Sequence, residues 1–125
     1  MALNVYPVIG HRWPWKRSYY WTTPHQRTHH LQPIVERLRD SPRPVWVSEL
    51  QAEPWEPGRL VYTESAHPPT SHPDMLSTYV REMQELGVTT VFFWGAEYWH
   101  YRRTQQDDPS WWEAVKRLLE APSTS

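Results

Sequence analysis

The residues best placed to do chemistry in this sequence are Glu49, Gln51, Glu53 and Trp55, which follow one another at the end of Val45-Trp46-Val47-Ser48. The first half of that stretch is β-branched and aromatic and is entered from Pro44, which suits a short buried strand. The second half sets two carboxylates, an amide and an indole where the strand must end. A strand that delivers a carboxylate to a rim makes Glu49 a site candidate; the alternative is a solvated glutamate at a strand terminus.

Other chemistries find less support. Among seven histidines, His25 and His29 are four apart and His30 adjoins. They fall at a proline-rich stretch and a helix start, no carboxylate pattern joins them, and neither a metal nor another cofactor is expected. The sequence has no phosphate loop, dinucleotide fingerprint or Gly-x-Ser-x-Gly elbow.

The elements that must position these residues alternate. Leu3 to Val8 reads as a strand limited by Pro7. Ile9 to Arg27 reads as a long irregular stretch carrying Trp13, Trp15, Tyr19, Tyr20 and Trp21, either a substrate wall or the local core of a loop. His29 to Asp40 reads as a helix with Leu31, Ile34, Val35 and Leu38 at helical spacing and Pro33 in its first turn. The central strand, Val45 to Glu49, follows directly, and Leu50 to Thr70 is again irregular. Ser71 to Leu86 is the clearest helix, with Ser71 and Asp74 in a capping-box pattern and Gly87 as its stop. Val88 to Trp94 is an apolar strand, Gly95 to Asp107 a third polar and aromatic loop, and Asp108 with Pro109 opens a last helix in which Trp111 and Trp112 pack.

Strand and helix in this order imply parallel strands joined by crossovers. The strand-to-helix connections are long and rich in Trp, Tyr, His and Glu, on the side where such folds keep their chemistry. The fold class is therefore α/β.

Composition narrows the function. With 125 residues, 38% hydrophobic and 22% charged, the chain reads as one soluble domain, cytoplasmic by default, with no signal peptide and no membrane span. A net charge of -1 offers no basic field for nucleic acid. Nine tryptophans and seven tyrosines beside two phenylalanines favour a binding face that is apolar on its surface and wet at its rim. Without cysteine, disulfides and thiolate zinc sites are excluded.

Trp46-Val47-Ser48-Glu49 with Gln51-Ala52-Glu53-Pro54-Trp55, and later Val91-Phe92-Phe93-Trp94-Gly95, resemble strands seven and eight of the (β/α)8 barrel of clan A retaining glycoside hydrolases, the cellulase and β-galactosidase-like group. Asn4-Val5-Tyr6-Pro7 resembles strand six. The resemblance implies a partial TIM barrel, the last three βα units, over residues 1–121; residues 122–125 read as a disordered tail. It implies Glu49 as nucleophile, Tyr6 as its hydrogen-bonding tyrosine and Trp94 as the floor of a sugar subsite, with Trp55 and Trp99 shaping the cleft. Gln51, Glu53, Glu97 and His100 are then expected to contact an oligosaccharide or glycoside, and Glu56 and Glu64 lie on the same rim.

Retaining hydrolysis also needs a protonated carboxyl about 5 to 5.5 Å from the nucleophile. In this clan it is a glutamate following an asparagine at the end of strand four, and no residue here matches it. A full barrel takes about 250 residues. The expected partner is therefore the missing N-terminal barrel half or another chain, and the chain alone is expected to be inactive. The alternatives are a non-catalytic carbohydrate-binding or structural module, or an incomplete gene fragment.

Overall fold

A computed structural model describes residues 1–12, 14–15, 17–39, 43–55, 68 and 70–120. Trp13, Glu56, Glu64 and the tail 122–125 lie outside the described residues, as do the side chains of Tyr19, Tyr20 and Trp21. The elements in chain order are β1 (Ala2–Val5), β2 (Val8–Arg12), β3 (Arg17–Trp21), α1 (Pro24–Arg39), β4 (Trp46–Gln51), α2 (Met75–Glu85), β5 (Thr90–Trp94), α3 (Ala96–Gln105) and α4 (Ser110–Glu120). No helix among the described residues is long and apolar enough to cross a membrane.

The fold is mixed α/β, with β1, β4 and β5 forming a parallel sheet in the order β1-β4-β5. Side chains alternate across a strand, so each strand divides its residues between two faces. Leu3 and Val5 of β1, Val47 and Leu50 of β4, and Val91 and Phe93 of β5 turn to one face and pack on the helices. There Leu31 and Val35 of α1 meet Tyr79 and Met83 of α2, and Phe93 also borders a second cluster built from Leu76, Tyr98, Trp99 and Trp111. The opposite face is open: Trp46, Phe92 and Trp94 remain 44%, 52% and 48% exposed.

One irregularity sets the register. Leu3 pairs with Val47 and Asn4 with Glu49, so Ser48 is an extra residue on β4; the ladder to β5 slips over the same stretch, with Val47 opposite Val91 and Leu50 opposite Phe93. Val47 and Leu50, three apart, thus both reach the core, and Ser48 and Glu49 are left to bond across to β1. Such bulges re-aim side chains and recur beside active sites.

Several elements differ from the sequence-based expectation. The stretch from Ile9 to Arg27 is not irregular throughout: β2 and β3 pair as an antiparallel hairpin that reaches back to Val8. Its base is tied by the Thr22 N–H and Oγ1, which bond the Pro7 carbonyl at 2.9 and 2.8 Å. Helix α1 begins at Pro24 rather than His29, because Thr23 and Gln26 form a reciprocal cap: Gln26 N–H donates to Thr23 Oγ1 at 3.2 Å and Thr23 N–H to Gln26 Oε1 at 2.9 Å. Pro33 therefore sits inside the helix, where it removes one backbone hydrogen bond, and not in the first turn.

Helix α2 starts at Met75, four residues after the expected Ser71. Asp74 occupies the N-cap position in helical geometry without a side-chain cap bond, and Ser71 is buried. Residues 96–105, expected as loop, form α3, whose polar surface hides its periodicity; only Tyr98, Trp99 and Arg102 are buried. Asp108 does open the last helix, accepting the Ser110 N–H at 3.0 Å while also taking Arg102 Nε at 2.9 Å.

Two helices are locked by a buried ion pair that the sequence reading did not single out. Arg27 of α1 donates from Nε and Nη2 to Glu82 Oε2 and Oε1 of α2 at 2.8 and 2.7 Å. Its guanidinium lies 5.0 Å from the centre of the Tyr79 ring and also bonds the Thr22 carbonyl.

Candidate functional site

At the C-terminal end of the parallel sheet three strand ends converge: Tyr6 just past β1, Glu49 within β4 and Trp94 at the close of β5. Parallel order alone places them on one rim. The Tyr6 hydroxyl donates a hydrogen bond to Glu49 Oε2. Asn4, one alternation back on β1, donates from Nδ2 to the Tyr6 oxygen at 3.5 Å, and its Oδ1 accepts the Ser48 hydroxyl at 2.7 Å. The bulge residue thus steadies the asparagine, the asparagine steadies the tyrosine, and the tyrosine orients the carboxylate.

The electrostatics follow from that geometry. Its hydrogen bond to Glu49, then burial, then the carboxylate's negative charge push the Tyr6 phenol above its ordinary value, against a smaller opposing effect of Asn4. Tyr6 therefore remains a proton-bearing donor at neutral pH. Because it bonds Oε2, Glu49 Oε1 is the oxygen left clear of this contact.

The turn after β4 carries the rest. Gln51, only 2% exposed, accepts the Val8 N–H on Oε1 at 3.1 Å and donates from Nε2 to the Glu53 carbonyl at 3.2 Å. Both ends of its amide are thus engaged in fastening the turn to β2. Glu53 Oε1 accepts two indole N–H groups, from Trp55 and Trp94, each at 3.1 Å. Trp55 stacks on Tyr6 with ring centres 5.1 Å apart and planes inclined by 21°. The Trp55 backbone N–H is held by Thr70 Oγ1 at 2.9 Å.

Gly95 permits this crowding. Its φ of 141° lies in a region that favours glycine, and a Cβ there would approach the Ala52 oxygen to 2.8 Å and Glu53 Cβ to 3.0 Å. The Ala52 N–H in turn bonds the Trp94 carbonyl at 2.8 Å.

Of the residues singled out from sequence, Tyr6, Glu49, Gln51, Glu53, Trp55 and Trp94 thus form one connected group. Trp99 does not join its surface. Since α3 begins directly after Gly95, Trp99 turns inward, 6% exposed, with its N–H on the Ala52 carbonyl at 2.6 Å and its ring edge-on to Phe93. It supports the turn from below. Glu97 and His100 are exposed on α3 and no side-chain hydrogen bond links them to the group.

Asn4, Ser48 and Thr70 belong to the arrangement and were not singled out for it. Strand alternation could have paired Asn4 with Tyr6; nothing local marks Ser48 as a bulge. Beside Tyr6 a cavity of about 450 Å³ is lined by Asn4, Thr22, Gln26 and His30 among others; Glu49 does not line it. A cavity of about 620 Å³ lies apart from the group, against His72, Arg102, Asp108 and Arg117. Among the described residues no three His, Cys, Asp or Glu side chains are grouped to hold a metal ion. Comparisons with family models, curated proteins and solved structures found no match.

Proposed function

We propose that this chain supplies the nucleophile side of a retaining O-glycoside hydrolase site and acts on a neutral glycoside. The observation that carries the reading is the Tyr6 hydroxyl on Glu49 Oε2, set where parallel strands end and flanked by the Trp55 and Trp94 rings. Glu49 Oε1 attacks the anomeric carbon, the bond to the leaving oxygen breaks, and the glycosyl ester on Glu49 is then hydrolysed. Tyr6 holds the carboxylate in orientation throughout, and the tryptophan faces carry the apolar face of the sugar ring. Two carboxylates in the group disfavour an anionic sugar.

A proton donor is needed for an ordinary leaving group, and Glu53 is engaged as an acceptor of two indole N–H bonds. The donor comes from further βα units or another chain. Trp46 and Phe92, exposed on the open sheet face, fit an assembly in which that part of the face is covered. A second reading, a carbohydrate-binding module without turnover, is favoured by that same engagement of Glu53.

The test uses a leaving group that departs without an acid. Incubation with 2,4-dinitrophenyl 2-deoxy-2-fluoro-β-glucoside and its galactoside counterpart should raise the intact mass by one fluoroglycosyl group, mapped to the peptide holding Glu49. Glu49→Gln should abolish the label, and Tyr6→Phe should slow it about tenfold, the loss of one charged hydrogen bond. Absence of label with both sugars, alongside oligosaccharide affinity unchanged by Glu49→Gln, would replace the enzyme reading with the binding module.

A further inference from the structure

We propose that Glu53 is a positioning residue, a shared acceptor that fixes two tryptophans at one angle and, through Trp55, holds Tyr6 against Glu49. The proposal deepens the glycosidase reading and rests on it only for the identity of the ligand.

The geometry leads there in three steps. First, indole is a donor only, with one N–H per ring, and both rings direct theirs to the same oxygen, Glu53 Oε1. A charged acceptor makes these bonds stronger than neutral ones and fixes each ring about its N–H. With the N–H edges drawn together, the faces rather than the edges are left to a ligand; Trp94 is 48% and Trp55 38% exposed.

Second, Glu53 is itself held. Its backbone carbonyl takes Gln51 Nε2, the preceding Ala52 N–H bonds the Trp94 carbonyl, and Gly95 brings the β5 end against the Ala52–Glu53 backbone. A carboxylate on a fastened turn is a suitable anchor for flexible rings.

Third, the contact is passed on. Trp55 covers the Tyr6 ring at 5.1 Å, and Tyr6 donates to Glu49. A loosened Trp55 would expose the Tyr6 ring and relax the orientation of the bond to the carboxylate, although Glu53 touches neither Tyr6 nor Glu49 through a hydrogen bond.

The test compares Glu53→Gln, which retains an acceptor oxygen, with Glu53→Leu, which does not. In nitrogen-proton correlation spectra of the whole chain, the indole N–H signals of Trp55 and Trp94, assigned with Trp55→Phe and Trp94→Phe, should both shift upfield and exchange faster with solvent in Glu53→Leu. In Glu53→Gln, a weaker neutral acceptor, both should shift in the same direction but by clearly less than in Glu53→Leu. The buried Trp111 should be unmoved in all variants, which shows the fold intact. Alkaline titration of Tyr6 should move back toward its ordinary value in Glu53→Leu and be rescued by Glu53→Gln.

Independent movement of the two indoles, or wild-type signals from both in Glu53→Leu, would overturn the proposal. So would a Tyr6 titration indifferent to both variants. None of these readouts contains a sugar. A wild-type chain that neither labels nor binds neutral gluco-oligosaccharide, with the indole signals behaving as stated, defeats the glycosidase reading and leaves the positioning role standing.

Discussion

Removing Glu82 should cost this chain a large part of its stability. Arg27 and Glu82 form a two-bond pair whose side chains are 8% and 6% exposed, and Glu82→Gln leaves a guanidinium in the core without its counter-charge. Breaking one partner of such a pair costs about 3 to 5 kcal/mol. The Thr22 oxygens and the Tyr79 ring still face Arg27, which argues for the lower part of that range. Domains are stable by roughly 0.05 to 0.15 kcal/mol per residue, or about 6 to 19 kcal/mol for a chain of this length. With a urea slope of about 2 kcal/mol per M, a loss of about 3 kcal/mol lowers the midpoint by about 1.5 M. Urea unfolding followed by far-ultraviolet circular dichroism and tryptophan fluorescence measures it directly. The apolar double variant Arg27→Met with Glu82→Leu should recover most of the loss, since no charge is then stranded. A midpoint shift under about 0.5 M for Glu82→Gln, a loss of about 1 kcal/mol, would refute the claim that the pair is closed to water.

Two further outcomes follow from the rim. Gly95→Ala combines an unfavourable φ with a Cβ 2.8 Å from a backbone oxygen, so it should destabilise by about 2 kcal/mol or more and perturb the Trp94 indole signal, both readable by urea unfolding and nuclear magnetic resonance. Tyr6 is raised above its ordinary value of 10.0 by its bond to Glu49 and by burial, and Tyr79 by burial first. The folded state holds these phenolic protons more tightly than the unfolded chain, so their contribution is complete below pH 10 and is lost as pH rises through the higher folded values. Stability measured from pH 8 to 11.5 should therefore fall above pH 10, less steeply in Tyr6→Phe; an identical slope in that variant would contradict the assignment.

The legible parts of this protein were those in which a short stretch determines its own state. Val45 to Glu49 and Val88 to Trp94 carry enough β-branched and aromatic side chains to declare strands, and Met75 to Leu86 carries an unbroken apolar stripe ended by Gly87. Helix α1 was legible in its apolar half and misread at its start, although Thr23 and Gln26 had the spacing of a reciprocal cap. The α3 helix was hidden because three buried side chains, one of them Arg102, hold an otherwise polar segment. Tertiary packing overrode a loop-like composition there. Trp99 illustrates the consequence: it is expected to help shape a sugar cleft, and the helix it lies on turns it into core.

What the sequence determined by itself is the three strands of the parallel sheet with a helix between each and the next and, from that, the end of the sheet at which Tyr6, Glu49 and Trp94 must meet. Parallel strands carry their C-terminal ends to one side whatever the details of the loops. What only the tertiary structure decided is how these residues touch. The slip at Ser48, the bond from Tyr6 to Glu49 across 43 positions, the meeting of Trp94 and Glu53 across 41, and the Arg27–Glu82 pair across 55 join segments far apart in the chain. A hydrogen bond is set by distances of tenths of an ångström between side chains on separate elements, and no local pattern of residue types specifies those distances before the elements have packed.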